Sequence, residues 1–101
     1  MEQHRERQLR WSYLLTDHVF DKVRSLDVAL AEFETLLAAG EVIEENWLDQ
    51  ATLKELVLVL DWRRPLHVVI VVDDGAQEER IVTVYEPDPA RWSADLRRRR
   101  R

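Results

Sequence analysis

The sequence contains no cysteine, and only two glycines and three prolines among its 101 residues. Without thiols there are no disulfide staples, no thiolate metal sites and no cysteine nucleophile, so packing alone must hold the fold together. Two glycines are too few for a Gly-rich phosphate loop, and no Gly-x-Ser-x-Gly elbow is present. The three histidines are widely spaced and form no HExxH pattern, and Asp73-Asp74 with Glu78-Glu79 read as a solvated acidic loop. No metal or cofactor is therefore expected. No stretch reaches roughly 18 consecutive apolar residues, and the opening MEQHRERQLR lacks the basic-then-apolar layout of a secretory signal. The expectation is a cytoplasmic protein that makes no use of a membrane.

What is present is charge, distributed unevenly. The formal net charge is −5, yet five arginines occupy positions 97 to 101, and removing them leaves the rest of the chain at −10. An acidic body argues against a general polyanion binder. The run 97–101 reads as a disordered, solvated tail of mutually repelling charges. Its functional reading is an arm that neutralises phosphates without sequence preference, so no DNA specificity is expected.

With 46% hydrophobic residues, the chain fits one α+β domain over residues 1–96. Residues 3–15 carry a partial helical stripe of Leu9, Trp11 and Tyr13. A second helix starts at Thr16-Asp17, whose oxygens cap free N–H groups, turns Val19, Phe20 and Val23 inward and ends near Ser25. A third spans Asp27 to Ala39, with Ser25 or Asp27 as N-cap, Val28, Leu30, Phe33, Leu36 and Leu37 as its apolar face, and Gly40 as a left-handed stop. Glu41 to Glu45 alternates weakly, as a charged edge strand does.

Strands are expected at about 55–62, 66–73 and 80–86, separated by Arg-Arg-Pro and Asp-Asp-Gly. Connections this short suit an antiparallel meander. The predicted architecture is thus a two-layer sandwich, N-terminal helices on a four-stranded antiparallel sheet. Pro87-Asp88-Pro89 ends the last strand, and Trp92 is expected to fold back onto the sheet.

One residue breaks the apolar run of strand 66–73: His67. A histidine there reads either as a half-buried core group bonded to a backbone carbonyl or as a functional one. Around it stand RPLHVVIVV, IVTVYEPDPARW, AAGEVIEE and the helix start His18-Val-Phe-Asp-Lys22. These segments resemble a family of small bacterial domains, domain of unknown function 4258, over roughly residues 16–95. The resemblance implies a fold similar to the RelE-like ribonuclease toxins of toxin–antitoxin pairs, and with it a metal-independent endoribonuclease partnered by a small antitoxin, one type of which carries a zinc finger. The family usually has arginine four residues after its first histidine; Lys22 stands there in this sequence and lacks the bidentate phosphate grip.

Metal-independent RNA cleavage needs a base for the 2′-hydroxyl, an acid for the departing 5′-oxygen and cations for the phosphate. Histidine is the side chain suited to proton transfer near neutral pH, so His67 and His18 are candidates for the proton transfers, with Tyr85 positioning a hydroxyl or stacking on a base. Arg64, Arg63 and Lys22 are candidates for the phosphate, and Thr83 shares a strand face with Tyr85. Whether His67 shares that face depends on the hairpin register, which a one-residue slip reverses. The competing expectation is a non-catalytic interaction module, for instance a homodimer burying Trp47, Trp62 or Trp92.

Overall fold

The computed structural model describes residues 13–60 and 64–100, together with the backbone of residues 5 and 6. Its elements run β1 (Arg5–Glu6), β2 (Tyr13–Leu15), α1 (Asp17–Ser25), α2 (Leu30–Ala38), β3 (Glu41–Trp47), β4 (Thr52–Val59), β5 (Leu66–Asp73) and β6 (Glu78–Tyr85). They form one sheet in the order β1-β3-β4-β5-β6-β2.

The expectation of a four-stranded antiparallel sheet is corrected by this order. The meander β3 to β6 is antiparallel, but β2 lies parallel beside β6 and the two-residue β1 extends the other edge, so the sheet is mixed. Residues 5–6 and 13–15 are strand, not the helix expected over 3–15; Leu9 and Trp11 lie outside the described residues. Three residues are too few to display a period of two, whereas Leu9 and Tyr13 four apart imitate a helical stripe. In place, Tyr13 and Leu15 are half-buried and Leu14 is exposed, the alternation of a strand.

Helix α1 begins where its cap predicts, with Thr16 Oγ1 accepting from the Val19 amide at 3.2 Å. Val19 and Val23 are buried, while Phe20, expected inward, is exposed. Helix α2 starts three residues later than expected because Asp27 has φ 59°, a left-handed conformation that cannot open a helix. Ala29 takes the N-cap position instead, without a side-chain bond, and Phe33 and Leu37 form the buried stripe. Gly40 was expected as a left-handed stop, but it has no positive φ. Its requirement is space: a Cβ there would lie 2.5 Å from Val57 Cγ1 on β4.

Both helices cover one sheet face. Val19, Val23, Phe33 and Leu37 pack with Val57, Leu66, Val68, Ile70, Ile81 and Val84 in the main core. The opposite face carries a smaller cluster of Ile43, Leu56, Leu58 and Trp92, with Val69 and Leu96 against it. Two β-bulges adjust which residues reach that second face, one between Val42 and Glu44 and one between Val69 and Ile70. After the first bulge, Ile43 joins the smaller cluster while Glu44 pairs with Arg99 on the same side.

The chain beyond Pro89 crosses this second face as a strap. The expectation of a disordered Arg tail is corrected through Arg100. Trp92 and Arg99 form an antiparallel bridge, the Ser93 amide donates to the Arg98 carbonyl at 2.7 Å, and the Arg100 amide donates to the Arg91 carbonyl at 2.8 Å. Arg97 and Arg99 find carboxylates on β3, so the run does not repel itself away from the surface.

Candidate active site

The hairpin register settles the question that the sequence left open. His67 on β5 stands directly opposite Tyr85 on β6, and Val69 stands opposite Thr83, so all four share the strapped face. The Tyr85 hydroxyl lies 3.1 Å from His67 Nδ1, and the Leu96 carbonyl oxygen lies 2.9 Å from Nε2. A carbonyl only accepts, so Nε2 carries the proton and donates to Leu96, and Nδ1 accepts from the Tyr85 O–H. The ring is thereby fixed as one neutral tautomer with both nitrogens engaged.

His67 is fully buried. The Trp92 ring closes over it edge-to-face with centroids 4.3 Å apart, and the Tyr85 ring packs edge-to-face at 5.3 Å. Burial pushes the imidazole pKa below its ordinary value of 6.5, against the bond to Leu96 and the Glu44 charge, which favour the protonated form. Burial likewise raises the Tyr85 phenol, with Arg99 opposing the rise and Glu44 adding to it.

A testable pH dependence follows from this burial. Because the folded ring binds a proton less readily than the unfolded chain, its neutral form contributes full stability above about pH 6.5. That contribution falls as the pH drops below this toward the depressed folded value. Urea midpoints should decline as the pH falls below about 6.5, and His67→Gln should flatten that slope. An unchanged slope in the variant would mean that His67 is not the titrating group.

Tyr85 reaches two clefts. One, of about 620 Å³, is bordered by Tyr85, Trp92, Arg91, Arg99 and Arg100 together with Glu86 and Asp88. The other, of about 250 Å³, is bordered by Tyr85, Arg99, Glu44, Asn46, Lys54 and Val69. Arg99 stands between them, its guanidinium 4.8 Å from the Trp92 ring centroid and bonded through Nε and Nη2 to the Glu44 carboxylate, both at 3.0 Å. The face thus gathers a histidine–tyrosine dyad beside arginines, the side-chain types suited to proton transfer next to a phosphate.

The remaining sequence candidates divide between this face and the rest of the molecule. His18 and Lys22 ride on α1, which packs on the other sheet face, and His18 is exposed. Arg64 is exposed just before β5, pairs with Glu86 at 3.2 Å and borders a cleft with Leu96 and Arg100 of the strap. Arg63 lies outside the described residues, as does Trp62. Thr83 is half-buried on the dyad's face. Sequence reasoning missed Arg99, Glu44 and the Leu96 carbonyl; the acidic β3 facing a distant Arg run was the available signal.

The stretch that builds the dyad and the sheet matches a family profile. The chain belongs to the family described as Domain of unknown function (DUF4258), matched over residues 15–86. No curated protein and no solved structure matches the chain. The DUF4258 match contains His67 and Tyr85 but ends before Trp92, so the strap that seals the dyad lies outside the matched region. Among the described residues no three histidine or acidic side chains group as a metal site, and no helix is long and apolar enough to cross a membrane.

Proposed function

We propose that this chain is a toxin-like RNA-cleaving domain, similar to the RelE-like ribonucleases, whose reaction centre is the His67–Tyr85 dyad. The observation that carries the reading is the 3.1 Å contact between Tyr85 and His67 Nδ1 on a sheet face whose adjoining cleft is bordered by Arg91, Arg99 and Arg100. Such a dyad can relay protons without a metal. Tyr85 takes the 2′-hydroxyl proton while passing its own to Nδ1, and Nε2–H protonates the departing 5′-oxygen. The 2′-oxygen bonds to phosphorus as the P–O5′ bond breaks, leaving a 2′,3′-cyclic phosphate and a 5′-hydroxyl. The arginines offset the charge that builds on the phosphoryl oxygens. A small antitoxin would act by covering this face.

The second reading, a non-catalytic interaction module, is favoured by a specific observation: both His67 nitrogens are engaged within the protein and the ring is sealed. Cleavage of labelled mixed-sequence RNA in EDTA separates the two. Cleavage by the wild-type chain, or by a variant with the strap released, should fall about 10²–10⁴-fold in Tyr85→Phe, while Lys22→Ala, on the helix layer over the other sheet face, should retain it. RNA left intact by both the wild type and a strap-released variant would favour the module.

A further inference from the structure

We infer that residues Trp92 to Arg100 are an autoinhibitory latch over His67, seated by Trp92 and fastened by two arginine–carboxylate pairs, and that RNA phosphates favour its release by competing for those arginines. The inference rests on the RNA reading above for the activity that is inhibited and for the releasing ligand, and on the geometry alone for the latch.

The strap closes on the dyad itself. The Leu96 carbonyl occupies Nε2, the position from which the ring would protonate a leaving oxygen, and Trp92 covers the ring. Leu96 adopts φ 63°, a left-handed conformation that is disfavoured for a non-glycine residue. That cost is carried at the one strap residue whose carbonyl reaches the histidine, and it favours the open form.

Opposing it are two forked ion pairs. Arg97 Nε and Nη2 meet Glu41 Oε2 and Oε1 at 2.6 and 3.2 Å, and Arg99 makes the same fork to Glu44. Both carboxylates lie on β3 and both arginines on the strap, so these pairs fasten one unit to the other. Phosphate matches the guanidinium fork as well as carboxylate does. An RNA strand along the cleft therefore offers Arg99, which borders it, an alternative partner, and a phosphate beside the strap offers the partly exposed Arg97 the same; each exchange removes a fastening. Within the strap, the bonds from the Ser93 and Arg100 amides to Arg98 and Arg91 would persist, so it can lift as a unit.

The test is amide hydrogen exchange on the wild type, Glu41→Gln/Glu44→Gln and Arg97→Gln/Arg99→Gln, combined with an NMR titration of His67. Either double variant should speed exchange at the strap amides about tenfold, since two exposed pairs contribute on that order, while the amides of β4 and β5 stay protected. His67 should then titrate nearer its ordinary value. Adding a short single-stranded RNA to the wild type should produce the same signature, with tighter binding by Glu41→Gln/Glu44→Gln and weaker by Arg97→Gln/Arg99→Gln. Strap amides that exchange only together with the central strands, or that are unmoved in both variants, would overturn the latch whatever RNA does. Variants that open while RNA neither binds nor opens the wild type would overturn the releasing ligand and the ribonuclease reading together, leaving the latch in place.

Discussion

Trp92→Ala should weaken docking of the strap by about 3–5 kcal/mol, the range for removing a large buried aromatic. Trp92 is 4% exposed, packs with Ile43, Leu56 and Leu58, lies against His67 and carries the Arg99 guanidinium on its ring. A loss of that size exceeds what two partly exposed ion pairs supply, so the strap should detach. The signature is local: His67 becomes titratable near its ordinary pKa and the Trp92 contribution to near-ultraviolet circular dichroism disappears. The core between helices and sheet, which contains none of these residues, keeps its protection. Trp92→Phe, which retains an aromatic cap, should fall between the two. A Trp92→Ala protein whose histidine remained buried would show that the strap docks by other means.

Phe33→Ala should cost a similar 3–5 kcal/mol but act on the whole domain. Helix α2 has nine residues and is too short to be stable alone, so it depends on burying its apolar stripe. That stripe is essentially Phe33 and Leu37, 1% and 0% exposed. Since small domains are stable by about 5–15 kcal/mol in total, the loss is a large fraction of the whole. With urea m-values of about 1–3 kcal/mol/M, the midpoint should fall by more than 1 M. All probes should shift together, in contrast to the local signature of Trp92→Ala. A midpoint unchanged by Phe33→Ala would mean that α2 contributes little to the cooperative unit.

The two variants divide the molecule along its sheet, and the same division separates what could be read from the chain. Local signals worked where the energetics are local. Thr16 caps α1 through its own side chain, and Leu66 to Val72 is an apolar run broken only by His67 and ended by turn residues, so both elements appear where local signals place them. The reading of residues 3–15 failed because β2 is stabilised by ladder bonds to β6, more than sixty residues away. A three-residue segment has no local pattern that competes with so distant a partner.

The candidate site divides in the same way. His67 and Tyr85 were singled out from residue type and resemblance, and His18 and Lys22 were grouped with them on the same grounds but lie in the layer over the other face. The terminal arginines were read as a repelling run, because a sequence shows like charges side by side. Once folded, Glu41 and Glu44 face Arg97 and Arg99 across a long separation in the chain, and attraction to an opposite charge outweighs repulsion between neighbours.

By itself, then, the sequence determined the α+β composition, the meander of strands after the helices, the absence of thiol chemistry and the presence of one histidine inside a strand. Tertiary structure alone decided that the sheet is mixed, that His67 faces Tyr85 rather than the helices, and that the C-terminal arginines hold a cover over them. The physical reason is register and long-range pairing: a strand's side chains change face with each one-residue slip, and only the assembled sheet selects which face meets the strap.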